Sequence, residues 1–126
     1  MKSGLYIVTL NNEVPISVNA QDSRIADKTI KVTKANCKFG KARNLESREK
    51  NYHKTFGKDN VKFIPIAKLA EIQKLEKTIL GALDNYRIRG RSGRKNEWLQ
   101  GIKPEEVLKI ALFHIEQSGV NHELLI

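Results

Sequence analysis

The sequence of 126 residues contains one cysteine, no long apolar run and comparatively few acidic residues. The single thiol, Cys37, excludes an internal disulfide and a zinc site made of several thiolates, and it agrees with a reducing compartment. No segment approaches the roughly 20 apolar residues that cross a bilayer, and the apolar part of the first residues is too short for a signal peptide. We therefore expect a cytoplasmic protein that does not associate with a membrane.

The shortage of acidic residues leaves the chain strongly basic. Lysine and arginine total 23 against 14 aspartates and glutamates, which gives a net charge of +9 and a pI near 9.8. Such an excess is typical of proteins that bind a polyanion, although it also fits a chain that its net charge keeps soluble. Most of the excess falls between residues 24 and 62 and in the run YRIRGRSGRK at residues 86–95. The sequence therefore predicts a basic surface on one side of the molecule.

The length fits one domain over residues 1–126, and 40% apolar with 29% charged residues is typical of soluble globular proteins. Apolar segments bounded by turn formers predict three strands, over residues 5–10, 28–40 and 61–66, and a bend around residues 34–36 of the second strand is left open. Cys37 falls in the second of them and is expected in the core. Residues 11–28 have no clear period and are interpreted as a loop with one short extra element left open, and the arginine-rich run is interpreted as a second loop.

Helical periodicity predicts three helices. The first extends from an N-cap at Asn44 to Gly57, and the second, which has the clearest apolar stripe, covers about residues 67–83. The third begins at Pro104 and ends near Gly119. Three predicted strands and three predicted helices indicate an α+β protein.

Two of these helices carry a charge on their apolar stripe. Glu76 lies between Ile72 and Leu80, where an unpaired carboxylate costs several kcal/mol or takes up a proton. Such a glutamate has a basic partner, a cation or a catalytic task. Arg48 lies in register with Tyr52, where an arginine can also extend its stem along apolar surface and keep its head in water. The two charges either pair with each other or face a cleft, one to bind a metal ion and the other a phosphate.

Three segments in order resemble the GIY-YIG nuclease superfamily: GLY at residues 4–6, KFGKARNLESREKNY at residues 38–52 and LEKTILGALDNYRI at residues 75–88. The first matches the GIY signature, and Lys38-Phe39-Gly40 stands in the place of YIG or KIG. The resemblance is closest to the T5orf172-like and Mug113-like phage and bacterial domains, whose late GEWF-like motif appears as Asn96-Glu97-Trp98-Leu99.

The resemblance implies a small three-stranded antiparallel sheet flanked by helices, with an insertion between the first two strands because Tyr6 and Lys38 are far apart. It also implies a DNA endonuclease that hydrolyses phosphodiester bonds. Glu76 would bind Mg²⁺ or another divalent cation, and Arg48 would stabilise the phosphate. Tyr6, helped by Lys38 or His53, would orient or deprotonate the attacking water, its pKa brought down from about 10 by cationic neighbours.

Seven cations are expected to contact the DNA, mostly at its backbone: Lys41, Arg43, Arg87, Arg89, Arg91, Arg94 and Lys95. Tyr52 and Trp98 either line the site or, as their spacing and size favour, pack in the core. Leu80 stands where related domains often have a histidine. Two alternatives stay open, a catalytically inactive nucleic-acid-binding module with the same fold and a structural protein whose charge serves solubility alone. Sequence specificity is expected to be weak or to come from a protein partner.

Overall fold

A computed structural model describes residues 2–126 as a six-stranded antiparallel sheet with three α-helices and a separate two-stranded ribbon. The strands are β1 (Gly4–Leu10), β2 (Ile16–Ser17), β3 (Lys31–Val32), β4 (Asn36–Ala42), β5 (Val61–Leu69), β6 (Arg87–Arg89), β7 (Lys95–Gln100) and β8 (His122–Leu124). The helices are α1 (Leu45–Phe56), α2 (Ile72–Ala82) and α3 (Pro104–Ser118). Among residues 2–126, no helix is both long enough and apolar enough to cross a membrane.

The predicted three strands form the centre of the sheet, but the sheet is twice as wide as predicted. Its order is β6-β7-β4-β1-β5-β8, with β1 antiparallel to β4 and to β5. The arginine-rich run is not a loop: it forms β6 and the turn that leads into β7. Trp98 and Leu99 on β7 are buried on opposite faces, and this burial holds the hairpin on the sheet despite its charge.

The second predicted helix begins five residues late, at Ile72 instead of about residue 67. Ala67 and Leu69 belong to β5, where they are fully buried and pair with the C-terminal strand β8. A short apolar run fits the period of a helix as well as that of a strand, so the pairing with neighbouring strands decided its structure. The first and third predicted helices are confirmed: Oδ1 of Asn44 accepts a hydrogen bond from the backbone N–H of Ser47, and α3 starts at Pro104.

Residues 11–35 form the insertion between β1 and β4. It contains the β2-β3 ribbon and a short 3-10 turn, so the predicted strand over residues 28–40 is divided into β3 and β4. The insertion is tied to the body of the protein, because the side-chain amide of Asn12 donates to the carbonyl of Val32 and its Oδ1 accepts from Asn60. Val32 itself is fully buried.

The sheet separates two apolar cores. Helices α2 and α3 cover one face and pack on Leu5, Ile7 and Cys37, whereas α1 covers the other face and packs on Tyr6 and Val8. Side chains alternate between the faces of a strand, so neighbouring residues of β1 serve different cores. Cys37 is buried, as predicted.

Candidate functional site

Four polar side chains meet in the core under α1. The hydroxyl oxygens of Tyr6 and Tyr52 lie 2.8 Å apart, and Nη1 of Arg48 donates to Oη of Tyr6 at 3.5 Å. Nζ of Lys38 donates to Oη of Tyr52 at 2.5 Å. The structure thus brings three sequence-predicted residues, Tyr6, Lys38 and Arg48, together with Tyr52 into one hydrogen-bonded chain, which we call the phenol cluster.

Gly40 makes the room for this cluster. It lies opposite Tyr6 on the neighbouring strand β4, and a Cβ atom at this position would stand 2.6 Å from Oη of Tyr6. The ring of Phe63 stacks on the other side of the Tyr6 ring at 4.6 Å between centroids. The glycine of the second signature segment therefore has a steric reason, since any side chain there would push the phenol out of place.

Both phenols of the cluster are neutral at ordinary pH. Burial raises the pKa of Tyr6 well above its usual value, and the opposing effects of Lys38 and Arg48 are smaller. Burial likewise raises the pKa of Tyr52. The expectation that cationic neighbours would lower the pKa of Tyr6 was therefore wrong, because desolvation of the phenolate outweighs them. Tyr6 is fully buried, and its hydroxyl shares hydrogen bonds with Tyr52 and Arg48.

Tyr52 has a part in the phenol cluster that the sequence left open and did not assign. It is mostly buried, as predicted, but its hydroxyl lies between Lys38 and Tyr6, and it lines a concavity together with Arg48. The available signal was its spacing, one helical turn after Arg48 on the same face. His53 is not part of the cluster, since its Nε2 lies 3.7 Å from Oε2 of Glu49.

Glu76 lies on the other face of the sheet, within the apolar stripe of α2. It is 5% exposed, and its Oε1 accepts a hydrogen bond from Nζ of Lys41 at 2.9 Å. Its Oε2 is buried with no hydrogen-bond partner among residues 2–126. The alternative in which Glu76 pairs with Arg48 was therefore wrong. Lys41, whose contact with DNA stays a prediction, is the partner that keeps half of this carboxylate satisfied.

Arg48 of the phenol cluster and Lys41, the partner of Glu76, line one cavity at the end of β4. Ile72 and Gln73 from the first turn of α2 line the same cavity. Glu76 lies one helical turn further along α2 and is bonded to Lys41. Within the described chain, no group of three or more histidine, cysteine, aspartate or glutamate side chains could hold a metal ion, so a cation here would have at most two such ligands.

Arg48 occupies the junction of three concavities and lines all of them. The first is the cavity with Lys41, and the second includes Tyr52 and Trp98. The third lies between the insertion and the β6-β7 hairpin and measures about 710 Å³. A guanidinium at such a junction is placed to contact an anion that enters from any of the three.

The remaining predicted cations fall into two groups. Arg87 donates to the carbonyl of Asn96 at 2.8 Å, Arg89 donates to the carbonyl of Gly93 at 2.9 Å, and Lys95 pairs with Asp84. These three hold the hairpin together. The second group consists of exposed side chains with no hydrogen bond or ion pair within residues 2–126, and its members are Arg43, Arg91 and Arg94.

The comparisons with known proteins gave one family. A family model described as the T5orf172 domain matches residues 20–114, a segment that includes Lys38, Arg48 and Glu76 and begins after β1, so that Tyr6 lies outside it. Neither the curated proteins nor the solved structures gave a match. Because the family model covers well over half of the sequence, the chain belongs to the T5orf172 domain family.

Proposed function

We propose that the chain is a metal-dependent DNA endonuclease of the GIY-YIG type that hydrolyses phosphodiester bonds. The observation that carries the proposal is Arg48, held by the hydroxyl of a buried tyrosine at the junction of three concavities, one of them lined by several cations. The T5orf172 family is associated with nuclease-like and GIY-YIG-related domains, which supports the same reading and a role in DNA binding.

Arg48 is the proposed phosphate ligand. Its guanidinium donates hydrogen bonds to the non-bridging oxygens of the scissile phosphate, where negative charge increases in the transition state. The contact with Tyr6 restricts the orientation of the guanidinium before substrate arrives, so less ordering is left for the reaction itself. Positioned charge of this kind is the main contribution a protein makes to phosphodiester cleavage.

Glu76 is the proposed ligand of Mg²⁺ or another divalent cation. Its unpartnered Oε2 fits a cation, because a buried carboxylate oxygen without a donor is otherwise costly, and Lys41 occupies only the other oxygen. Mg²⁺ commonly needs only one or two carboxylates, with water and substrate phosphate as its other ligands. When bound, such a cation supplies charge stabilisation for the scissile phosphate and the leaving oxygen.

Tyr6 is proposed to position its neighbours. Because it is protonated and fully buried, it orients Arg48 on one side and Tyr52 on the other through its single hydroxyl. Tyr52, which reaches the concavity and accepts from Lys38, is the phenol that contacts the attacking water. In this arrangement Lys38 orients the hydroxyl of Tyr52.

One observation favours the alternative of a catalytically inactive nucleic-acid-binding module. Lys41 already neutralises Glu76, and no cluster of three metal-ligand residues is present between residues 2 and 126. In that case the ion pair would be structural, and Arg48 would contribute to phosphate binding only.

A plasmid-nicking assay with Mg²⁺ separates the two functions. We expect Arg48→Ala and Glu76→Gln each to lower the cleavage rate by about 100-fold or more, as loss of one positioned transition-state contact does. The matched controls are Lys50→Ala, exposed on α1, and Glu116→Gln, exposed on α3, and both should cleave like the wild type. A wild-type protein that binds DNA but cleaves no DNA form would establish the inactive module, and unaffected cleavage by both site variants would disprove the assigned residues.

A further inference from the structure

We propose that the insertion and the β6-β7 hairpin form the two walls of one groove, the insertion-hairpin groove, which binds the backbone of double-stranded DNA. Lys38 and Arg48 are among the residues that line the groove. The identity of the bound polymer rests on the proposed function, whereas the shape and charge of the groove do not. The proposal gives the insertion a role in DNA binding. The segments that resemble the GIY-YIG superfamily lie outside the insertion and imply no such role.

Each wall of the groove contributes cations that are free to bind a ligand. On the hairpin, Arg91 and Arg94 line the groove at the turn. On the insertion, Lys28 at the end of the 3-10 turn lines the opposite wall, with Asn19 nearby. All three cations are exposed, and their side chains have no hydrogen bond or ion pair within the part of the chain that the structure describes. Two positive walls facing one space attract a polyanion.

Both walls are held in place without using these cations. Arg87 donates to the carbonyl of Asn96, and Lys95 pairs with the carboxylate of Asp84. These two contacts fix the hairpin relative to the turn that precedes it. The insertion is fixed by the Asn12 hydrogen bonds and by burial of Val32. A groove whose walls are already ordered loses little conformational entropy when it binds.

The side chains of the groove favour a duplex over a single strand. Proteins that bind single strands without sequence preference combine positive charge with aromatic rings on which bases stack. The residues lining the insertion-hairpin groove include no aromatic ring, and Trp98, which belongs to the hairpin strand β7, is only 3% exposed. The one carboxylate in the lining, Glu97, lies 3.7 Å from Nζ of Lys38 and is thereby partly neutralised. Charge without stacking surfaces suits phosphate contacts along a duplex backbone.

The test is DNA binding measured by fluorescence anisotropy in a buffer with a chelator and no divalent cation, so that cleavage does not interfere. Affinity for one labelled duplex is measured over a series of salt concentrations, because each phosphate contact adds about 0.9 to the slope of log affinity against log salt. We expect Arg91→Ala/Arg94→Ala to lower the slope by about 2 and Lys28→Ala by about 1. The control Lys77→Ala/Lys109→Ala also removes two positive charges, but from the exposed surfaces of α2 and α3, and it should leave the slope nearly unchanged.

Several outcomes would overturn the proposal. Equal slopes for the wild type, the double hairpin variant and Lys28→Ala would show that the groove does not bind DNA, and an equal loss in the control would show that only net charge matters. Tighter binding of the matching single strand would exclude the duplex. The binding assay measures no cleavage, so the two proposals can fail separately. If the groove variants lower the slopes as expected but the wild-type protein cleaves no DNA, only the proposed function is contradicted. If the wild-type protein cleaves DNA but the groove variants leave the slopes unchanged, only the groove is contradicted.

Discussion

Gly40 and Lys41 are neighbours on β4 but belong to opposite faces of the sheet, one with no side chain and the other with a long one. On the α1 face, Gly40 has no side chain, and the space is taken by the phenol of Tyr6. On the α2 face, Lys41 extends a long side chain to satisfy half of the Glu76 carboxylate. The α1 face thus holds its charge, Arg48, through neutral, buried phenols, whereas the α2 face holds Glu76 through one ion pair in an apolar core.

This comparison shows that the same sequence signal can have two structural solutions. Arg48 and Glu76 both appear as charges on an apolar helical stripe. Arg48 reaches three concavities and keeps its head accessible, as an arginine stem on apolar surface allows. Glu76 is too short to reach solvent in this way and depends on a partner, and its second oxygen still has none within residues 2–126.

The largest effect is expected from filling the space at Gly40. Gly40→Ala places a Cβ 2.6 Å from Oη of Tyr6, so the ring or the strand must move, and we expect a loss of about 3 kcal/mol in the free energy of unfolding. Chemical denaturation measures it. Gly81→Ala is the control, since a Cβ there meets no atom within 4 Å, and on a helix it should stabilise by up to about 1 kcal/mol. Equal effects of the two changes would contradict the steric role of Gly40.

A smaller loss is expected on the α2 face. Lys41→Ala removes the hydrogen-bond donor to Oε1 of Glu76. Because the lysine side chain is one-third exposed, we expect the free energy of unfolding to fall by only about 1–2 kcal/mol. Adding Mg²⁺ should recover part of this loss if the carboxylate binds a cation, which thermal unfolding with and without Mg²⁺ measures.

The matched comparison for Lys41→Ala is the double variant Lys41→Met/Glu76→Leu. It replaces the pair with apolar side chains and should be close to the wild type in stability, with no response to Mg²⁺. A Mg²⁺ response that persists in this double variant would place the cation elsewhere.

The last expected effect is a pH dependence that Tyr6 causes on the α1 face. The fold raises the pKa of Tyr6 above the value of about 10 in the unfolded chain, so the unfolded state loses this proton first. The stability that Tyr6 contributes is therefore complete below about pH 10 and decreases as the pH rises further, by at most about 1.4 kcal/mol per pH unit. In denaturation experiments, the free energy of unfolding of Tyr6→Phe should decline less steeply above about pH 10 than that of the wild type. An equally steep decline would mean that ionisation of Tyr6 does not destabilise the fold.

Much of the fold could be predicted because it depends on local chemistry. The cap at Asn44, the end of α1 at Gly57 and the start of α3 at Pro104 each follow from one residue type in one position. The boundary near Ala67 and the hairpin at β6-β7 could not be predicted in this way, because both depend on which strand lies alongside. Strand pairing is a long-range property, and a short apolar or charged run does not encode it.

The division is the same for the candidate site. From its residues alone, the sequence determined a strongly basic chain with a glutamate and an arginine placed on apolar stripes, and the motif resemblance added Tyr6 and Lys38. Only the tertiary structure decided which groups touch: that Glu76 pairs with Lys41, that Tyr52 joins Lys38 to Tyr6, and that burial keeps both phenols neutral. The physical reason is that pairing and desolvation depend on residues distant in sequence, which come together only when the sheet has formed.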